Sequence, residues 1–360
     1  MTHPRVHGGI DPYALNAQGI DPSTVVDFSV NLNPYGPCPA VIEAAREAPL
    51  DAYPDPLARA AREAWARVLD LHPDAIAVGH GAASLFWAIA RAFVQRGDRV
   101  LIAEPTFSEL RVAAEAMGAE LLRPRANDHG IDLEALAKPA SRARLVYLCS
   151  PNNPTGERLP PTEIARFAAR VPEALVVLDQ SFVALSDHAD DAHARFPDNV
   201  IVVRSLTKEF ACPGLRIGLC IATPALVARI EAMRPTWATS APALAAIEAA
   251  AGQGAFVAAS WLRLREDREA VAAAFRAIDA HVRPSATSFQ LVCVPIGGGA
   301  EALCRIFMRQ RVLVRDCSSF GLPAYVRVAA LPAPQRQRLY AAVEEVLDAP
   351  RPLDRWRRPR

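Results

Sequence analysis

The sequence predicts an α/β protein with a large, mostly parallel sheet covered by helices, followed by a smaller α/β lobe. Three observations predict it. From about residue 76, short apolar runs alternate with helical segments, and the runs lack the polar alternation of strands that face water. From about residue 236, the rhythm changes to long Ala-rich helices with few strands. At 360 residues the chain also exceeds one ordinary domain.

Residues 1–26, broken by glycine and proline, read as an N-terminal arm with a short helix. Residues 27–235 form the expected large domain. Tyr53-Pro54-Asp55-Pro56 punctuates the chain before a helical run from Leu57 to Leu69. Ile76 to Val78 is a strand candidate ending at Gly79-His80-Gly81, and an apolar helix follows from Ala83 to Arg96. Strand Arg99–Ala103, helix Ser108–Met117 and strand Glu120–Arg123 come next, then strand Ala143–Leu148, helix Thr162–Ala169 and strand Ala174–Leu178. Val200–Arg204 and Ile217–Ile221 complete the large sheet. Residues 236–350 form the small domain, with strand candidates at Leu291–Pro295 and Val312–Arg315 and a loop at the three glycines 297–299. Residues 351–360 are a basic tail.

Composition narrows the function classes. With 40 basic and 39 acidic residues the net charge is +1, too balanced for a broad footprint on nucleic acid or an anionic membrane. The seven cysteines are scattered without a CxxC pair and sit mostly in apolar runs, where cysteine acts as a small hydrophobe. A reduced, cytoplasmic setting is expected. No uncharged apolar stretch is long enough to span a bilayer, and no metal site is expected.

The chemistry concentrates in Ser205-Leu206-Thr207-Lys208, continued by Pro213-Gly214-Leu215-Arg216-Ile217-Gly218. The segment follows a strand, and in open α/β sheets ligands bind beyond the strands' carboxyl ends. A lysine partly desolvated beside other cations can form an imine with an aldehyde. Ser205, Thr207 and Arg216 suit a phosphate monoester on the same ligand.

This segment resembles the Schiff-base segment of aminotransferases of the histidinol-phosphate type, and the resemblance runs over nearly the whole chain. His7-Gly8-Gly9, the run Asp27 to Gly36, Tyr53-Pro54-Asp55, Pro151-Asn152-Asn153-Pro154-Thr155-Gly156, Val314-Arg315-Asp316-Cys317 and Tyr325 to Ala329 carry it further. Within the group the sequence is most similar to L-threonine-O-3-phosphate decarboxylases of the cobalamin pathway. The resemblance implies an aspartate-aminotransferase-like fold and pyridoxal 5′-phosphate (PLP) as cofactor. It implies Lys208 as the cofactor lysine, Asp179 as partner of the pyridine nitrogen, and Asn153 as donor to the phenolic oxygen. Gly81, Ala82 and Ala83 would cradle the phosphate through backbone N–H groups at a helix start. Phe107 would stack on the ring, although a core phenylalanine is the plain alternative. Tyr53 would reach the phosphate of a neighbouring subunit, implying a homodimer. Arg327 would hold the substrate carboxylate, while Arg315 and His7 would hold a substrate phosphate; an exposed charge is the alternative for each.

The chain departs from the family after Asp179: relatives usually read Asp-Glu-Ala followed by Tyr or Phe, and here Asp179 is followed by Gln180-Ser181-Phe182. Phe182 lacks the phenol of many aminotransferases, and the decarboxylases share that phenylalanine. Thr239-Ser240 stands where the decarboxylase has an asparagine, and the Gly79–Ser84 turn lacks the acidic side chain of many relatives. The expected reaction is decarboxylation of a phosphorylated amino acid, L-threonine O-3-phosphate above all. The alternatives are an aminotransferase of the histidinol-phosphate type and a specialised enzyme with altered or oxidative chemistry. A non-catalytic cofactor-binding scaffold fits poorly with Lys208, Asp179, Asn153 and Arg216 together.

Overall fold

A computed structural model describes residues 8–127 and 130–347. The described residues divide into two compact units, one within residues 32–153 and 157–261, the other of residues 8–31, 154–156 and 262–347.

The first unit is built on a seven-stranded sheet. Its strands are β1 (Ile76–His80), β2 (Arg99–Ile102), β3 (Glu120–Leu122), β4 (Leu145–Cys149), β5 (Leu175–Asp179), β6 (Val200–Ser205) and β7 (Ile217–Ile221). Their spatial order is β1-β7-β6-β5-β4-β2-β3. β7 is antiparallel to both of its neighbours, and the other paired strands are parallel. The strands lack polar alternation because both faces are covered. In β4, Leu145, Tyr147 and Cys149 join one core, and Val146 and Leu148 join another on the opposite face. The first core includes Leu85, Phe86 and Ile89 of helix Gly81–Phe93, and the second Ile164 and Phe167 of helix Pro161–Arg170.

The apolar helix begins at Gly81, two residues before its expected start, and ends at Phe93. A left-handed Gly81 turns the chain directly from β1 into the helix, so the glycine belongs to the helix rather than to a loop before it.

The second unit contains a four-stranded antiparallel sheet of β8 (His281–Val282), β9 (Phe289–Cys293), β10 (Arg315–Asp316) and β11 (Val326–Ala329), in the order β10-β11-β9-β8. Of the expected Gly-rich loop, Gly298 caps and Gly299 opens helix Gly299–Arg309. Phe28, Val292, Phe307, Val326 and Leu339 meet in its core. The basic tail at 351–360 lies outside the described residues.

Candidate active site

Strand direction assembles the first unit's polar residues. β1, β2, β4, β5 and β6 run the same way, so His80 at the end of β1, the Glu104–Phe107 turn, the Ser150–Asn153 turn, Gln180–Phe182 and Leu206–Lys208 all lie at strand carboxyl ends. The antiparallel β7 begins at that same edge. Its pairings of Gly218 with Gly79 and with Ser205 bring Arg216 between the lysine segment and the glycine turn.

Asp179 ends β5 and is buried. One carboxylate oxygen accepts from the Tyr147 hydroxyl at 2.8 Å, and the other accepts from the Ser181 backbone N–H at 2.8 Å. Burial pushes the Asp179 carboxyl above its ordinary value, while those donors and the charge of Lys208 pull it back. Burial, and then the carboxylate, holds the Tyr147 phenol well above its ordinary value, so it stays a donor. Sequence reasoning missed Tyr147, which stands in a strand run that otherwise reads as core. Its signal was a single hydroxyl two residues from the end of a strand that pairs with the Asp179 strand.

The glycine turn, the hydroxyls and Arg216 bring together donors of a kind that could cradle an anion. Gly81 has φ +75°, and a Cβ there would stand 2.7 Å from Arg216 Nη2. At Gly218 a Cβ would meet the Ala82 nitrogen at 2.8 Å. Both glycines thus permit a close approach that any side chain would block. The first N–H groups of the 13-residue helix Gly81–Phe93, including those of Ala82 and Ala83, supply helix-terminal donors. Ser205 Oγ lies 2.7 Å from Thr207 Oγ1. Backbone N–H groups, two hydroxyls and a guanidinium are donors suited to a phosphate monoester.

Lys208 is half-buried in the short helix Leu206–Glu209. Asn33 secures that helix: its N–H donates to the Lys208 carbonyl at 2.9 Å, and its side chain donates to the Glu209 carbonyl at 2.9 Å. Asn152 ties two turns together by accepting from the Thr106 hydroxyl at 2.8 Å and donating to the Pro105 carbonyl at 2.9 Å. This fixes the loop that carries the buried Asn153. Phe107 is half-buried against the core beneath it, and Phe182 is buried.

The residues that depart from the family have local roles. Gln180 is buried, and its Oε1 accepts from Arg204 Nε and Nη2 at 3.4 and 3.3 Å. Ser181 supplies the N–H to Asp179. Thr239 is buried and accepts from Arg234 at 3.0 Å, and Ser240 caps helix Ala241–Ala250. Tyr53 is 80% exposed yet stacked on Trp237, with ring centroids 4.4 Å apart.

In the second unit, Arg315 on β10 and Arg327 on β11 are direct cross-strand partners, and both are buried. Arg327 Nη2 donates to the Ser29 carbonyl at 2.6 Å, and Arg315 Nη2 to Ser319 Oγ at 2.7 Å. Burial lowers Arg327 to about 10, and the charge of Arg315 adds to that. Like charges directly opposite on neighbouring strands disfavour each other, so the pair suits anionic groups. His7 lies outside the described residues.

With this geometry, the class is defined by sequence comparison. The profile of the aminotransferase class I and II family matches residues 23–346, and the chain belongs to that family of enzymes. It is 33% identical over 329 residues to a histidinol-phosphate aminotransferase of Symbiobacterium thermophilum, covering 90% of this chain and 91% of the relative. The crystal structure of histidinol-phosphate aminotransferase from Sinorhizobium meliloti, in complex with PLP, superposes with a TM-score of 0.84 at 26% identity, covering 96% of this chain and 98% of that one. L-threonine-O-3-phosphate decarboxylase from Porphyromonas gingivalis superposes with a TM-score of 0.75 at 30% identity, covering 89% and 99%. The fold is aspartate-aminotransferase-like. These likenesses support the aminotransferase alternative better than the decarboxylation expected from the sequence. Asp179, the anion cradle and Lys208 fit PLP, the group held in the Sinorhizobium structure. Among the described residues no single helix is long and apolar enough to cross a membrane.

Proposed function

We propose that this chain is a PLP-dependent aminotransferase of the histidinol-phosphate type, moving an amino group between a phosphorylated amine and a keto acid. The observation that carries the substrate class is the buried cross-strand pair of Arg315 and Arg327. Two guanidiniums that disfavour each other suit a substrate with anionic groups. The curated histidinol-phosphate aminotransferase relatives support transfer as the reaction.

With PLP bound, Lys208 would be the residue that holds its aldehyde and would move the proton at the substrate's Cα. PLP supplies an electron sink for the bond that breaks at that carbon. Asp179, held by Tyr147 and Ser181, would keep the pyridine nitrogen protonated. Asn153 would be the donor to the phenolic oxygen, and Phe107 the aromatic against the ring. Gly81, Ala82, Ala83, Ser205, Thr207 and Arg216 hold the phosphate. Arg327 takes the substrate carboxylate where there is one, and Arg315 with His7 takes the substrate phosphate. Tyr53 of one subunit reaches the cofactor phosphate of the other, so the enzyme works as a homodimer in the cytoplasm. The outward, stacked setting of Tyr53 supports that role.

A second reading, decarboxylation of L-threonine O-3-phosphate, is favoured by Phe182 and by the likeness to the Porphyromonas decarboxylase. One experiment separates the two. PLP-loaded protein is incubated with histidinol phosphate or threonine phosphate, with and without 2-oxoglutarate. Glutamate formed only with the acceptor supports transfer. Release of CO2 and aminopropanol phosphate without an acceptor overturns it in favour of decarboxylation.

A further inference from the structure

Behind the anion cradle, on the other side of β6, lies a cavity of about 250 Å³ that the proposed reaction does not use. Strand alternation divides the residues. Ile201 and Val203 face one core, whereas Val200 and Val202 face the opposite one, and Arg204 shares their parity. Val200, Val202 and Arg204 line the cavity with Leu69, Phe196 and Ile221. Gln180, one residue beyond Asp179, also lines it and accepts from Arg204.

Arg204 is the feature that needs explaining. It is buried, and among the described residues its hydrogen-bond acceptors are both neutral: Gln180 Oε1 and the Ala192 carbonyl. Its Nη1 donates no hydrogen bond within the described residues. Glu209 acts on it only as a charge at a distance. A guanidinium taken out of water without an ion-pair partner is costly, and here burial lowers Arg204 to about 10. The neutral acceptors are themselves fixed. Gln180 donates its backbone N–H to the Val203 carbonyl at 2.8 Å, and Arg158 grips Asp191, next to Ala192, through bonds of 2.6 and 2.9 Å.

We propose that this cavity binds a small monocarboxylate with a short apolar body, its carboxylate on Arg204 and its hydrocarbon against Val200, Val202, Phe196 and Ile221. One guanidinium among neutral partners suits a single negative charge, and its planar fork matches a carboxylate. A phosphate dianion would find too few donors. The volume is below the roughly 300–1,000 Å³ of drug-sized clefts, which limits the body to a few carbons. Arg195 and Asp198 stand at the exposed rim with opposite charges, so the rim neither attracts nor repels strongly. The site does not depend on which reaction the enzyme performs.

Isothermal titration of PLP-loaded protein with 4-methylpentanoate, and with 4-methylpentanamide as its neutral twin, tests the assignment. Gln180→Glu gives Arg204 an internal carboxylate partner and should displace the ligand without removing the guanidinium. Ala194→Phe fills the cavity from a loop residue in its wall. Neither change touches Arg315 or Arg327, so binding at those arginines would persist in both variants. The expected result is a wild-type Kd below about 1 mM, with at least tenfold weaker binding for the amide and for each variant. No binding heat at 10 mM 4-methylpentanoate (roughly tenfold above the expected Kd), or less than tenfold discrimination against the amide or either variant, would overturn the proposal and leave a cavity that holds water.

Discussion

Replacing Tyr147 with phenylalanine removes one oxygen from the base of the site and leaves the ring in the core against Phe86. Asp179 then keeps its backbone donor from Ser181 and loses the hydroxyl at 2.8 Å. A hydrogen bond to a charged group contributes about 1.5–3 kcal/mol, so cofactor affinity should fall by roughly ten- to a hundredfold. The pH dependence has a definite sign. In the cofactor-free protein, burial already holds Asp179 above its unfolded value, so its ionised form costs stability. That cost is absent below the unfolded pKa and grows until pH passes the folded one. The Tyr147 donor lowers the folded value, so its loss extends the window upward. The variant's melting deficit should therefore be smallest at acid pH, near the ordinary carboxylate value of about 4, and grow as pH rises above it. Equilibrium dialysis with PLP and thermal melts from acid to alkaline pH are the assays. Affinity within twofold of wild type, with melting curves running parallel to it, would refute the coupling between Tyr147 and Asp179.

Lys208→Ala should abolish turnover and the visible absorbance of bound cofactor while leaving the far-UV circular dichroism unchanged; retained activity would remove the lysine from its role. Arg315→Ala should lower kcat/KM for phosphorylated substrates by about a hundredfold and for their unphosphorylated parents far less. A matched loss on both would assign Arg315 a structural role. Gly81→Ala should weaken PLP binding by at least roughly tenfold, because its Cβ would press on Arg216 from a left-handed backbone. Titration of the cofactor-free variant with PLP measures this directly.

The sheet was legible in the sequence because its strands are buried on both faces and bounded by turn residues. Val200 to Arg204 and Ile217 to Ile221 announce themselves by composition alone. Strand direction was less accessible. Nothing within Ile217–Ile221 marks it as the antiparallel member, although that reversal brings Arg216 against Gly81. The start of the apolar helix was also displaced, since Gly81 could be read as the end of a turn or as the first residue of the helix.

Side chains at strand ends, such as Asp179 and Lys208, were visible as candidates because their position relative to a strand is a local property. Tyr147 was not, because its importance rests on a neighbouring strand's register, a fact of long range: Tyr147 and Asp179 are 32 residues apart. Arg315 and Arg327 illustrate the same limit. Each could be singled out alone, yet their direct opposition across two strands exists only after folding. Gln180 lies between these cases. Its departure from the family was plain, but its consequence depends on Arg204 of the adjacent strand. A neutral side chain there leaves a buried guanidinium without a carboxylate in contact, one strand from an ionisable Asp179. Changing a single charge at position 180 therefore alters the electrostatics on both sides of the sheet.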